Sequence, residues 1–523
     1  MDPAKTTAHA WVDAHRDEVS QWHTTIWNYA EPAWREYRSA AWYVARLRAA
    51  GFDVEEGSGG MPTAFAASWT NGPGPTVLTY AEYDAVPHNS QAATTRREPR
   101  PGTNSYAPGH TDPHSALGIS TLAALLAAKE AMQRHDIPGT LRYTGEPAEK
   151  MHGSKPVHGL RGYYDDVDAI VSFHPFYLLP WCNTLRWDTH CGLCYSKIYT
   201  FRCDEPQTWA AGGTDSPIPA SHSAARAPGA NAALFTMYQL TKTTHDAMAP
   251  AFGGWSLNEA ILHSGQATAD NLAPRLAQIQ YTWRAPDLAT AEQILAVLDR
   301  NAQTAAAATH CSVHDRWVAR SRPGLPNHTV TELVWSNLHD VGPPRYGDDA
   351  VRTAQEMQRA AGVEPTDQPL LADLTQLVEP WEAERRVREL LPPSQRSWTS
   401  DDYVEMSWYA PTARLYVGRP ALAPRGDGHA YPDWVMNALG GMPATIDPTI
   451  ECAAKTIGGS LLDLVRDREA LAAAHDELAR RREEYGDLAP LLPADFTAPH
   501  DYGWPDYVDD GTRWCVPEPG VVT

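Results

Sequence analysis

Four short stretches carry side chains that could hold a metal ion or move a proton. They are Gly109-His110-Thr111-Asp112-Pro113-His114, Pro147-Ala148-Glu149-Lys150, Phe173-His174-Pro175 and Gly428-His429-Ala430-Tyr431. Imidazoles and carboxylates are the donors of a hydrolytic divalent ion, and a carboxylate beside such an ion can serve as general base. Singly, each stretch is weak. A lone histidine more often packs in a core or lies on the surface, and Asp112 could cap a helix. Lys150 is the odd member, a cation directly after Glu149 where a metallohydrolase site calls for a second carboxylate.

The elements around these stretches give them joint meaning. Residues 75–84 (PTVLTYAEYD) read as an apolar strand ending in acids. Residues 114–136 read as a long helix closed by Ile137-Pro138-Gly139, and 140–145 and 168–175 as further strands. Strands alternating with helices predict an α/β fold with a largely parallel sheet covered on both faces. Ligand sites in such sheets lie beyond the carboxyl ends of the strands, and here those ends carry Asp84, Glu149 and His174. From 195 to 322 the order becomes βαββαβ, a split βαβ sandwich, which predicts an inserted α+β domain. The expected division is 1–194 for the first part of the main domain, 195–322 for the insert, 323–487 for its second part, and 488–523 for an irregular tail rich in Pro, Asp and Trp. Residues 8–50 read as two helices, 354–391 as a charged helical stretch and 461–485 as one long surface helix.

Bulk properties narrow the function classes. The 523 residues are 43% hydrophobic and 20% charged, as in globular chains, and suffice for more than one core. A net charge of −21 argues against a nucleic-acid partner or an anionic membrane surface. No run approaches the ~18 apolar residues of a membrane span, and the N-terminus has no signal-peptide apolar core, so a cytoplasmic location is expected. Seven cysteines, an odd number, give no disulfide framework, and Cys191-Gly-Leu-Cys194 reads as two thiols beside a strand. Serine-nucleophile chemistry lacks its G-x-S-x-G elbow, and Gly57-Ser-Gly-Gly60 fits no phosphate loop.

A series of ordered motifs runs from about 15 to 475: IWNYAEPAWREYRSA, GMPTAFAA, AEYDAVP, GHTDPHSALG, PAEK, SFHP, ASHSAARAPGANAAL, DNLAPRLAQIQYTWRAP, GHAYPDW and AAKTIGGSLLDL. The chain thereby resembles the aminoacylase and carboxypeptidase-G type metallopeptidases, especially the amidohydrolase branch of p-aminobenzoyl-glutamate hydrolase and auxin-conjugate hydrolases. The resemblance implies a two-metal site on the main domain and an inserted lid through which the protein forms a homodimer. It implies that His114 and His174 hold one metal and that Asp112, standing where the branch usually has cysteine, bridges the pair. Glu149 matches the catalytic acid/base, Lys150 the second metal's carboxylate ligand, and His429 that metal's remaining ligand. Asp84 matches an acid that orients a ligand, and Glu82 stands where several branches carry a further histidine. In the lid, His222 matches the histidine that crosses the dimer interface to polarise the scissile carbonyl, while Asn271 and Arg284 match positions that grip a substrate carboxylate.

The departure is confined to one half of the site. Asp112, His114 and His174 keep the three protein ligands of a catalytic zinc. The other half keeps His429 and a share of Asp112 and gains an ammonium, which repels a second ion at ~4 Å by several kcal/mol at an effective dielectric near ~20. One tight ion is expected, Zn²⁺ foremost, with Mn²⁺ and Co²⁺ suited to the same donors. Lys150 either supplies positive charge where the second ion would sit or turns away to a surface acid. The expected function is metal-dependent hydrolysis of an amide in an N-acyl amino acid, a dipeptide-like or an acyl-glutamate-like small molecule. The alternatives are a repurposed enzyme that forms or cyclises amides, and a metal-free or non-catalytic binding protein.

Overall fold

Short apolar runs, each closed by Gly, Pro or an acid, become the strands that position the site. In the computed structural model, which describes residues 2–176, 180–205, 229–249, 254–265 and 274–501 and the backbone of 507–508 and 514–515, the chain divides into two units. The first comprises Met1–His190, Gly324–Leu391 and Asp402–Thr523; the second comprises Cys191–Pro323 and Pro392–Asp401.

The first unit holds a seven-stranded sheet in the order Asp53–Glu56, Phe65–Thr70, Thr140–Gly145, Thr76–Ala81, Ala169–Phe176, Thr412–Gly418, Thr184–Leu185. Its four central strands are mutually parallel. The flanking strands run antiparallel. Every residue of Thr412–Gly418 is buried, as expected of a strand covered on both faces. The four parallel carboxyl ends therefore open together, and they lead into Glu82 and Asp84, the turn bearing Glu149, His174, and Arg419. This is the α/β fold with a parallel-centred sheet that the alternating pattern predicts.

The helix His114–Arg134 covers one face and packs against Pro443–Arg466 and Pro3–Ala14. It is apolar and long enough to cross a membrane, yet 83% of its most apolar window is buried inside the unit, so it is a core helix. Gly118 lets it approach the sheet. A Cβ there would strike Tyr43 Oη and come within 2.9 Å of the Glu82 carbonyl oxygen.

Two helical stretches are more broken than their periodicity suggests. Pro3–Ala14 and Arg16–Tyr29 are separate helices jointed at His15, whose Nδ1 hydrogen-bonds the Trp11 carbonyl at 2.8 Å. Pro443–Arg466 ends at Asp467, whose carboxylate accepts from the Ala470 amide and starts Arg468–Glu484.

The second unit has the order βαββαβ. Its sheet runs Ser312–Arg320, His190–Arg202, Leu276–Ala285, Ser256–His263, with Ser397–Ser400 also paired to His190–Arg202. Helices Ala230–Met248 and Leu288–Ala308 pack on each other and on the Leu276–Ala285 strand. Cys191 and Cys194 are buried thiols on the long strand, neither of them in a disulfide.

Gly118→Ala tests the close approach. Alanine should add up to ~1 kcal/mol of helix propensity, but the clash with Tyr43 and the Glu82 carbonyl should outweigh it and destabilise the protein by about 1–3 kcal/mol in urea unfolding. Equal or greater stability would show that the helix does not need this contact.

Candidate metal centre

Asp84, at the end of the Thr76–Ala81 strand, is fully buried and divides its carboxylate between two elements. Oδ1 accepts from His114 Nδ1 at 2.7 Å, and Oδ2 accepts from the Lys150 backbone N–H at 2.9 Å. With Nδ1 donating, His114 presents Nε2 to the centre of the cluster. That atom is buried with no hydrogen bond, although three carboxylate oxygens face it: Glu82 Oε2 at 3.3 Å, Glu149 Oε2 at 3.4 Å and Asp112 Oδ2 at 3.8 Å.

His174 is oriented in the same way. Its Nδ1 donates to the Pro175 carbonyl at 2.7 Å, so Nε2 points at Asp112 Oδ1, 3.3 Å away. Donor atoms of Glu82, His114 and His174 lie within 4.8 Å of one another. Imidazole nitrogens and carboxylate oxygens thus converge with their donor atoms inward, a set suited to a cation. Glu82, His114 and His174 form the group that could hold one divalent ion, and Asp112 Oδ1 lies 3.3 Å from His174 Nε2.

Lys150 takes neither a ligand's role nor the solvent's. Its Nζ donates to Asp112 Oδ2 at 2.6 Å and to Glu149 Oε2 at 2.9 Å, with 30% of the side chain exposed. Burial pulls the ammonium's pKa down, but Asp112 and Glu149 outweigh it and hold it well above the ordinary lysine value. The group stays charged and cannot coordinate. It has the reverse effect on Glu149: burial alone would raise that acid, while Lys150, then His114 and His152, hold it below its usual range.

The turn carrying these two residues is held under strain. Glu149–Met151 forms one 3₁₀ turn, bracketed by Ala148 at φ 57° and His152 at φ 54°, both left-handed. Glu36, from the IWNYAEPAWREYRSA motif, pins it from beneath. Its Oε1 accepts from the Ala148 N–H at 2.8 Å and its Oε2 from Thr63 Oγ1 at 2.9 Å. Arg419, at the end of Thr412–Gly418, donates to the Thr111 carbonyl at 2.9 Å and fixes the loop before Asp112.

The structure does not bring all the predicted residues together. Asp112, His114, Glu149, Lys150 and His174 converge. His429 does not: its side chain is 80% exposed on a glycine-flanked loop, its amide donates to Asp427 Oδ1 at 3.0 Å, and its Nδ1 bonds the Asp427 carbonyl at 3.1 Å. His110, in the first motif, is buried against the Ile26 carbonyl at 3.3 Å. Arg284 is an exposed residue of the Leu276–Ala285 strand. His222 and Asn271 lie outside the described residues.

Sequence reasoning missed Glu36 and a buried lysine, Lys155, whose Nζ bonds Glu82. The nearest signal was local: Lys155 follows PAEK within one turn, and Glu36 sits in the first of the ordered motifs. A serine–histidine–acid chain also exists, with Ser58 Oγ to His158 Nε2 and His158 Nδ1 to Glu146 Oε1, both at 2.8 Å. All three residues are fully buried, so it braces the strand end before Glu149 and meets no reactant.

Comparisons with known proteins agree with the motif reading. No known family's profile matches the chain. The chain is 26% identical over 349 residues to a component of the p-aminobenzoyl-glutamate hydrolase of Escherichia coli (strain K12), covering 66% of this chain and 67% of that protein. It is 24% identical over 376 residues to Xaa-Arg dipeptidase of Mus musculus, covering 67% and 74%. The crystal structure of the aminobenzoyl-glutamate utilization protein from Klebsiella pneumoniae has the same fold, with a TM-score of 0.51 over 85% of this chain and 98% of that one at 13% identity. The resemblance to the p-aminobenzoyl-glutamate hydrolase branch therefore extends beyond the short motifs to two thirds of the chain.

The pH dependence of the metal-free protein reports on His114. Burial and Lys150 depress its pKa, but Asp84 and Glu82 outweigh them and raise it to about 9. A raised histidine stabilises the fold fully below its unfolded value near ~6.5 and loses that contribution as pH rises through about 9. Chelator-treated protein should melt at progressively lower temperature from pH 6.5 to 9, and His114→Asn should flatten this dependence. A wild-type melting profile that is flat across that window would contradict the assignment.

Proposed function

We propose that this chain hydrolyses the amide bond of an N-acyl amino acid, a dipeptide-like or an acyl-glutamate-like small molecule, using a single divalent ion, Zn²⁺ first, held by Asp112, His114 and His174. The observation that carries the proposal is the inward convergence of His114 Nε2 and His174 Nε2 on carboxylates, beside an acid, Glu149, that is not needed to orient either ring. The amide-cleaving class is that of its named relatives, a hydrolase and a dipeptidase.

The ion would polarise the scissile carbonyl and make water acidic near neutral pH. The chain's own groups do the rest. Glu149 receives the proton of the attacking water and passes it to the leaving nitrogen. Lys150 engages Oε2 of Glu149, which leaves Oε1 to handle the proton. Lys150 also stands where a second ion would stand in a two-metal site, and supplies its positive charge to the developing oxyanion or to a substrate carboxylate. His222, contributed across a homodimer, is proposed as a further donor to the carbonyl oxygen. Asn271 and Arg284 are proposed to bind the substrate carboxylate, for which the guanidinium offers a two-pronged fork.

Elemental mass spectrometry on the native protein and on Lys150→Glu tests the metal count. About one equivalent per protomer should rise toward two in the variant, and no metal in either form would overturn the reading. On a panel of N-acyl amino acids and dipeptides, Glu149→Gln should lower kcat by about 10²–10⁴-fold with the metal retained. Unchanged turnover in that variant would remove Glu149 from the chemistry.

A further inference from the structure

Directly behind the metal cluster lies a second group of charges that the hydrolytic scheme does not use. Lys155, in the short helix Lys155–Leu160, places Nζ 2.7 Å from Glu82 Oε1 and 2.5 Å from Asp402 Oδ1, and all three side chains are fully buried. The ammonium lies over the Tyr80 ring, 4.8 Å from its centroid.

Two carboxylates and one ammonium without solvent make an expensive core. Each ion loses its hydration, and apolar side chains of similar volume commonly serve stability as well or better. The group's geometry points elsewhere. Lys155 engages only Oε1 of Glu82, so the carboxylate plane is fixed and Oε2 faces His114 Nε2 at 3.3 Å. Asp402 arrives from 247 positions away and holds the ammonium on its other side.

We infer that Lys155, braced by Asp402, is a positioning residue of the metal centre: by holding Oε1 it turns Oε2 of Glu82 inward as a one-oxygen donor to the ion held by His114 and His174. This rests on the one-metal reading above. It also deepens it, because Glu82 then adds a negative donor to the ion proposed for Asp112, His114 and His174. Carboxylates that hold a ligand's partner in place commonly change metal affinity by about 10–100-fold when their support is removed.

The test uses full-length protein stripped of metal and titrated with Zn²⁺ against a chelating indicator, followed by the visible spectrum of the Co²⁺-loaded form. Glu82→Gln and Lys155→Met should each weaken Zn²⁺ binding about 10–100-fold and shift the Co²⁺ absorption bands. Lys155→Arg, which keeps the charge and a donor, should recover most of the affinity. The double variant Lys155→Met/Asp402→Asn restores the group's net charge without the grip on Oε1. It should stay weak, and recovery to wild-type affinity would reduce Lys155 to charge balance and overturn the positioning role. Should Lys155→Met fail to fold, Glu82→Gln and Lys155→Arg decide: wild-type affinity and an unshifted spectrum in Glu82→Gln overturn the inference while leaving the one-metal reading intact. A wild-type protein that binds no Zn²⁺ overturns that reading itself.

Discussion

The site depends first on one buried carboxylate shared between a side chain and a backbone. Asp84 takes the His114 ring N–H with one oxygen and the Lys150 amide N–H with the other. Strand end, helix start and the Glu149–Met151 turn are thereby set relative to one another by a single rigid group. The turn cannot relax, although its two left-handed residues each cost on the order of 1–3 kcal/mol. Glu36 secures the opposite side of the same turn through the Ala148 amide. Both acids lie without solvent beneath Glu149, so its carboxylate is held from its backbone while its own oxygens remain available to Lys150 and the cluster.

Electrostatics then decides what the cavity can hold. Glu82, Asp84, Asp112 and Glu149, with Asp402 behind them, face the ammoniums of Lys150 and Lys155 and two imidazoles. Such an excess of buried negative charge attracts cations, and in the metal-free state a proton on His114 answers part of it. Lys150 answers another part permanently. The remaining negative charge suits the divalent cation that the proposed function calls for.

Much of this was readable in the sequence because its carriers are local. Apolar runs ended by acids marked the strand ends, and a parallel sheet gathers those ends on one side, so Asp84, Glu149 and His174 had to meet. The βαββαβ order of the second unit was legible in part for the same reason, with Gly229, Pro286 and Asp287 marking element ends. What escaped was non-local. Asp402 reaches Lys155 across 247 positions, and neither residue type signals a partner. The joints at His15 and Asp467 escaped because apolar periodicity continues through both. His429 was placed by its neighbours in sequence, while its position in the structure is set by Asp427 on its own loop. Lys150 could be read as a departure, but not its direction, since a lysine chain reaches several acids from one backbone position.

An ammonium fixed to the backbone differs from a metal ion in one respect that charge alone does not describe. It has no dissociation equilibrium. A centre with two exchangeable ions has two occupancies, and its fraction in working order falls with each as free metal becomes scarce. Where one of the positive charges is Lys150, held between Asp112 and Glu149, that charge is present in every copy of the chain from the moment it folds. On the proposed one-metal reading, the centre follows a single saturation curve in metal concentration, and scarcity or chelation acts on only one of its two positive poles.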